Sequence, residues 1–155
     1  MEQIPITKQG YDACKKELER LKTVERPENI KAIEVARAHG DLSENAEYHA
    51  AKEKQSFLEG RIGELSYRLG NAKVIDPDTV PKDRVRFASR VLVENLDSEE
   101  QMEYRIVGSE EADIKKGTIS ATSPLGSAML GKEPGDEIEV MAPGGRRMYE
   151  IIDIL

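Results

Sequence analysis

The sequence predicts an α+β protein of two domains, an antiparallel α-helical coiled-coil hairpin followed by a smaller domain with a mostly antiparallel sheet and a short helix. In the first half, apolar residues recur in steps of three and four, the spacing of one helix face. In the second half, short segments rich in β-branched residues alternate with turn residues. Pro77 and Pro81, among short polar residues, cannot continue a helix. We therefore predict domains at residues 1–76 and 77–155.

The composition limits the classes of function. Charged residues make up 34% and apolar residues 38%, with two Phe and no Trp, which favours much solvated helix surface. The net charge is −7, and 16 acidic against 10 basic residues lie after residue 76, so contact with nucleic acid must be local and guided by a partner. One Cys and no Cys/His cluster exclude a disulfide or zinc framework. We expect a cytoplasmic protein without a membrane partner, because neither a membrane span nor a secretory signal is evident.

Two heptad-spaced stripes predict the arms of the hairpin. The second arm carries Ala51, Gln55, Leu58, Ile62, Leu65 and Leu69. The first arm carries Tyr11, Cys14, Leu18 and Leu21. The pattern slips around Pro27 and resumes at Ile30 and Ile33, so Pro27 should mark a kink or a fresh first turn. Pairing Ile30 with Leu58, and neighbouring pairs likewise, places the tip of the hairpin near residues 40–45.

The second domain has the shorter period of strands. Residues 90–94 and 103–107 predict one pair of strands, and residues 137–140 and 148–152 predict another. Between the pairs, Ser123 and Pro124 predict the start of a short helix that Gly131 ends.

The predicted tip contains an acidic pair, Asp41 and Glu44, after Gly40, which suits the left-handed residue that ends a helix. The pair can be a capping box at the start of the second arm. Its oxygens can instead supply part of a Mg²⁺ shell, since that ion accepts one or two carboxylates and keeps several waters. The residue types leave both interpretations open. His39 and His49 have no evident metal partner, so we assign them to structure or solvent.

A second feature near the tip is basic. The predicted register makes Arg37 and Lys52 face each other just below the tip, where two cations repel unless an anion lies between them. One interpretation is that both cations are solvated and neutralised by nearby carboxylates. The other is that they form a basic patch that holds a nucleic-acid phosphate. The nearby carboxylates are Glu34, Glu47 and Glu53.

These motifs together resemble those of one family. Residues 36–51 are similar to the tip motif of the bacterial Gre transcript cleavage factors, the GreA type more than the GreB type because the hairpin is near neutral in charge. The chain also resembles the C-terminal domain of the same family, in five segments that follow the family's order: residues 104–108, 119–120, 123–124, 130–132 and 142–145. The resemblance implies a coiled-coil hairpin joined to an FKBP-like domain.

The resemblance also implies a function. Such a factor enters the secondary channel of bacterial RNA polymerase and makes the polymerase cleave its backtracked transcript, without an active site of its own. Asp41 and Glu44 match the acidic pair that holds a second Mg²⁺ jointly with the polymerase. Arg37 and Lys52 match the patch that guides the 3′ end of the nascent RNA.

The resemblance further implies a docking surface around Ser120, Ser123 and Pro124, which would meet a coiled coil at the rim of the channel. We expect the free protein to be monomeric. Three other functions stay open at this point: a regulator that occludes the channel without stimulating cleavage, an FKBP-type prolyl isomerase, and a coiled-coil adaptor. The few aromatic residues after residue 76 argue against the isomerase.

Overall fold

The computed structural model describes residues 3–155, which form two compact units. The first, the hairpin unit, comprises residues 3–4 and Tyr11–Ala72. The second, the sheet unit, comprises Pro5–Gly10 and Lys73–Leu155. Within residues 3–155 no helix is long and apolar enough to cross a membrane.

Long helices form both arms of the hairpin unit, as predicted. They are α1 (Lys8–Arg20), α2 (Arg26–Arg37) and α3 (Ala46–Gly70). A π-helical turn, Leu21–Glu25, joins α1 to α2. Pro27 lies in the first turn of α2, where its missing N–H costs least, so the predicted fresh first turn at this proline is confirmed. The wider π turn takes up one extra residue, and that explains why the apolar pattern slips here.

The core of the hairpin unit follows the predicted stripes. Leu21, Leu58, Ile62 and Leu65 are buried together, with Cys14 and Leu18 packed against them. The buried side of α2 differs from the prediction, because it consists of Asn29, Ile33 and Ala36. Ile30 is 46% exposed, so its assignment to the core is wrong.

The register of the two arms also differs from the prediction. The Asn29 Nδ2 donates to the Ala51 carbonyl over 3.1 Å, whereas the predicted register puts residue 38 opposite Ala51. The arms are therefore displaced by about nine residues, or about two and a half turns. The apolar stripes of the two arms make contact in several registers, because sliding one arm along the other keeps the same helix faces together. Heptad spacing alone therefore could not choose between these registers.

A small sheet joins two strands that the sequence did not predict, β1 (Ile4–Thr7) and β2 (Ala72–Ile75). Beyond β2, Pro77–Thr79 forms a single 3₁₀ turn with Pro77 at its first position, where proline is tolerated.

The sheet unit contains a five-stranded sheet in the order β5-β4-β3-β7-β6. Its strands are β3 (Arg90–Asn95), β4 (Gln101–Val107), β5 (Thr118–Ser120), β6 (Glu137–Ala142) and β7 (Gly145–Ile154). Only β5 runs parallel to its neighbour, β4. The helix α4 (Pro124–Met129) is followed by Gly131 at φ +83°. The fold class is therefore confirmed, although β5 was not predicted as a strand.

One face of this sheet forms the core of the sheet unit. Val91, Val93, Ile106 and Ile151 alternate along their strands with outward residues and are fully buried with Met129 of α4. Gly126 lets α4 approach β5, because a Cβ there would overlap the carbonyl of Ser120.

Candidate functional site

The hairpin tip is a short irregular segment between α2 and α3. After Arg37 the chain turns through Gly40, whose φ of +112° confirms the predicted left-handed residue. Leu42–Glu44 then form one 3₁₀ turn, and α3 begins at Ala46. Asp41 therefore precedes the 3₁₀ turn and Glu44 ends it.

Asp41 is held by the turn that it starts. Its Oδ1 accepts hydrogen bonds from the Ser43 hydroxyl at 2.8 Å and from the Ser43 N–H at 3.0 Å. These bonds, the hydroxyl's first, hold the pKa of Asp41 below its ordinary value, since they favour the charged carboxylate. The side chain is exposed and ionised at neutral pH, since its pKa lies below 3.8.

The residue that caps α3 is Asn45. Its Oδ1 accepts from the Tyr48 N–H at 3.0 Å, while its Nδ2 donates to the Ala36 carbonyl at 2.6 Å. One side chain thus starts α3 and ties it to the end of α2. A capping box made of Asp41 and Glu44 at the start of α3 is therefore excluded, because Asn45 occupies the cap position.

Glu44 is exposed, and within residues 3–155 its carboxylate has no recorded hydrogen bond or ion pair. Of the four carboxylate oxygens that Asp41 and Glu44 present at the tip, only Asp41 Oδ1 accepts hydrogen bonds within residues 3–155. Carboxylate oxygens are the hard donors that Mg²⁺ prefers, so the pair fits part of its shell. Residues 3–155 contain no cluster of three or more metal-binding side chains.

The two histidines make local contacts at the tip. His49 Nε2 lies 3.2 Å from the Ser43 carbonyl, and His39 Nε2 lies 4.0 Å from a Glu47 oxygen. Both rings are exposed, which agrees with their assignment to structure or solvent.

Arg37 and Lys52 are not brought together. The Arg37 guanidinium lies 6.0 Å from the Tyr48 ring centre, and the Lys52 ammonium donates to Gln55 Oε1 at 3.0 Å. Their predicted juxtaposition is wrong for the same reason as the register, since Ala51 is opposite Asn29 and not a residue near Arg37. Both cations are exposed, and they lie at different positions along the hairpin.

Ser120, Ser123 and Pro124 come together at the start of α4. The Ser123 hydroxyl donates to the Ser120 carbonyl at 2.7 Å and accepts from the Gly126 N–H at 3.0 Å, so Ser123 caps α4. Pro124 occupies the first turn of that helix, as predicted.

These three residues line an apolar groove of about 460 Å³ in the sheet unit. Ile114, 71% exposed, and Met141, 68% exposed, also line it. Sequence reasoning missed the groove. The signal that the sequence offered was Met141. This residue is apolar, yet the alternation along β6 turns it outward, opposite to its neighbours Val140 and Ala142.

Comparison with known proteins agrees with both units. Residues 4–74 match the model of the N-terminal domain of a transcription elongation factor, and residues 80–155 match that of the GreA/GreB C-terminal domain. The chain belongs to the GreA/GreB family of transcription elongation factors.

Relatives within the family are similar over their full length. The chain is 56% identical to the transcription elongation factor GreA of Hyphomonas neptunium, covering 100% of this chain and 99% of that one. It is 54% identical to GreA of Thermodesulfovibrio yellowstonii, covering 99% and 97%. Among solved structures, GreA factor homolog 1 of Thermus thermophilus is 26% identical, with 99% of each chain covered and a TM-score of 0.46.

Proposed function

We propose that this chain inserts its hairpin tip into the secondary channel of bacterial RNA polymerase and stimulates the polymerase to cleave backtracked nascent RNA. The observation that carries the proposal is the exposed pair Asp41 and Glu44, which α3 does not need because Asn45 caps it. Membership of the elongation factor family supports a polymerase as the partner.

In this proposal the chain contributes ligands and does not act as a nuclease by itself. Asp41 and Glu44 would hold part of the shell of a Mg²⁺ ion whose other ligands the polymerase supplies. The ion supplies charge stabilisation and an activated water for phosphodiester hydrolysis. Ser43 fixes the Asp41 carboxylate in one orientation and keeps it charged, so it is ready to bind.

Arg37 would contact the RNA. It lies at the end of α2, four positions before Asp41, and its stacking near Tyr48 holds the guanidinium at the tip. Lys52 lies further along α3 and would contact an RNA phosphate separately from Arg37, because the two cations do not face each other. A single arginine therefore carries most of the proposed guidance of the RNA 3′ end.

The groove at Ser120, Ser123 and Pro124 would dock the sheet unit at the rim of the channel. Its apolar lining suits the apolar face of a helix, the kind of partner that a rim coiled coil offers. The chain carries a net charge of −7, which disfavours direct capture of nucleic acid, so the polymerase would have to guide the tip to the RNA.

The test is a backtracked elongation complex with a labelled transcript, to which the parent, Asp41→Asn or Glu44→Gln is added. Each change keeps the size of the side chain and removes a negative ligand. We expect cleavage to fall by about 10²-fold or more, a loss of about 2.7 kcal/mol of transition-state stabilisation. Polymerase affinity should stay at the parental level. Glu47→Gln, another exposed carboxylate of the tip, is the matched control and should cleave normally.

Parental cleavage by both tip variants would overturn the proposal and favour a regulator that only occludes the channel. RNA incubated with this protein and Mg²⁺ but no polymerase should remain intact, because two carboxylates supply too few ligands for a tight site.

A further inference from the structure

Two arginines of the sheet unit face each other on adjacent strands. Arg90 of β3 pairs directly with Arg105 of β4 in the antiparallel register. Their neighbours Val91 and Ile106 are fully buried, so both arginines point away from the core. Like charges in directly opposite positions destabilise a sheet, and nothing in the proposed function uses this pair.

The two charges are only partly neutralised by the protein. The nearest carboxylate to Arg90 is that of Glu103, with 3.7 Å between Nε and Oε2. Arg105 Nη1 donates to the Ala88 carbonyl at 2.7 Å, and within residues 3–155 no ion pair of Arg105 is recorded. A guanidinium has five N–H donors, so most of those on Arg105 are left for another acceptor.

The backbone holds Arg105 in place. Ala88 is fully buried at φ +72°, an unfavourable conformation for a residue with a side chain. Its N–H donates to the Ile106 carbonyl at 2.7 Å, and the adjacent Ser89 hydroxyl accepts from the Arg86 N–H at 2.8 Å. The strained turn therefore points the Ala88 carbonyl at the Arg105 guanidinium. The hydrogen bond between them orients the guanidinium in the absence of a ligand.

Two cavities adjoin the arginine pair. One, of about 280 Å³, is lined by both arginines together with Lys82 and Ser89. The other, of about 150 Å³, is lined by both arginines together with Lys116. Each cavity also has one negative side chain in its lining, Asp78 in the first and Glu103 in the second.

We infer that the Arg90–Arg105 pair is a binding site for a small phosphate-bearing anion, either inorganic phosphate or the phosphate of a mononucleotide. The planar guanidinium fork matches phosphate oxygens. The cavity volumes lie at or below the lower limit for organic ligands, which suits a phosphate group better than a large molecule. A long polyanion is disfavoured, because acidic residues outnumber basic ones by 16 to 10 after residue 76.

The test is an NMR titration of the full chain, labelled with ¹⁵N, at constant ionic strength. Separate arms use inorganic phosphate, adenosine monophosphate and a single-stranded oligonucleotide. We expect saturable shifts at the Arg90 and Arg105 Nε–H signals with one or both small ligands, and the tighter of the two identifies the source of the phosphate. The oligonucleotide should bind no more tightly than the small ligands do.

Substitutions on the same sheet provide matched controls. Arg90→Gln should weaken binding about tenfold or more, because it removes a charged donor from the site. Arg146→Gln makes the same charge change at an exposed arginine that pairs with Glu139 at 3.5 Å, and should leave affinity unchanged. Glu103→Gln should tighten binding several-fold, since it removes the competing carboxylate, whereas Glu139→Gln should not.

The inference is overturned if shifts grow linearly without saturation, if Arg90→Gln binds like the parent, or if Glu103→Gln and Glu139→Gln behave alike. Tighter binding of the oligonucleotide than of either small ligand would also overturn it. Arg90 is exposed, so its variant should fold normally, and a parental amide spectrum away from the site checks this. None of these measurements needs a polymerase, so their outcome is independent of the proposed cleavage function.

Discussion

At the scale of single residues, the tip shows how one serine orients a neighbouring carboxylate. The Ser43 hydroxyl and N–H both donate to Asp41 Oδ1. Glu44, three positions later, receives no comparable support among the described residues. The two carboxylates therefore differ, because hydrogen bonds from Ser43 orient Asp41 and none orients Glu44 within residues 3–155.

Ser43→Ala should raise the pKa of Asp41 towards its ordinary 3.8, because the hydroxyl is the larger cause of its lowering. A ¹³C titration of the Asp41 carboxyl group would measure the change. An unchanged pKa would show that the hydroxyl bond is absent in solution.

The same bonds give the 3₁₀ turn a pH dependence. The folded pKa of Asp41 lies below the unfolded value, so the stabilisation is present above the unfolded pKa. It is lost as the pH falls through the folded pKa, below the ordinary 3.8. The protection factors for amide exchange of residues 42–44, which correct for the intrinsic effect of pH, should therefore fall in that acidic range, and less so in Ser43→Ala.

Asn45→Ala should destabilise the hairpin unit by about 0.5–2 kcal/mol, the usual cost of a lost helix cap. It also removes the bond to the Ala36 carbonyl. Urea unfolding followed by circular dichroism at 222 nm would measure the loss. Asp41→Asn is the control, and should be near neutral for unfolding because Asp41 does not cap α3. Equal losses in both would mean that the start of α3 is assigned wrongly.

At the scale of elements, the register of the hairpin depends on a buried polar residue. Asn29 is 3% exposed and bonds the Ala51 carbonyl across the arms. A polar group in a helical seam favours the one register in which it finds a partner, because any other leaves it buried and unpaired. Two ion pairs, Lys54 with Glu25 and Arg61 with Glu17, agree with that register at 3.6 and 2.8 Å.

Asn29→Ala should therefore cost about 1–2 kcal/mol of unfolding free energy, since it removes a buried hydrogen bond. Ile30→Ala, its neighbour, should stay within about 0.5 kcal/mol because Ile30 faces solvent. Chemical unfolding of the two full-length variants compares them directly. A larger loss of unfolding free energy in Ile30→Ala than in Asn29→Ala would contradict this register and favour the one predicted from the apolar stripes.

At the scale of the whole molecule, each unit carries one part of the proposed function. The hairpin unit presents the acidic tip, and the sheet unit presents the apolar groove beside α4. Docking through an apolar groove should depend on side-chain contact more than on the acidic charge of residues 77–155.

Met141→Ser should weaken polymerase binding about fivefold or more, because a large apolar side chain leaves the groove. Val74→Ser removes a similarly exposed apolar side chain, 46% exposed and outside the groove, and should bind normally. Competition with labelled parent for polymerase would measure both. Equal affinities for parent and Met141→Ser would exclude the groove as the docking surface.

Heptad spacing predicted the arms and most of the hairpin core from sequence, because burial repeats with the helix period. Alternation likewise predicted four strands of the sheet, and turn residues predicted α4 and its end. The missed strands, β1, β2 and β5, have only three or four residues, too few to show a period.

The sequence by itself determined the two-part fold, the acidic pair at the tip and the family, since each depends on local spacing or on a contiguous motif. Tertiary structure alone decided which residues face each other. It placed Asn29 and not Ile30 in the seam, separated Arg37 from Lys52, and brought Arg90 against Arg105. The physical reason is that local periodicity fixes the direction of each side chain relative to its own element, whereas pairing between elements depends on the turn geometry and the few polar bonds that join them.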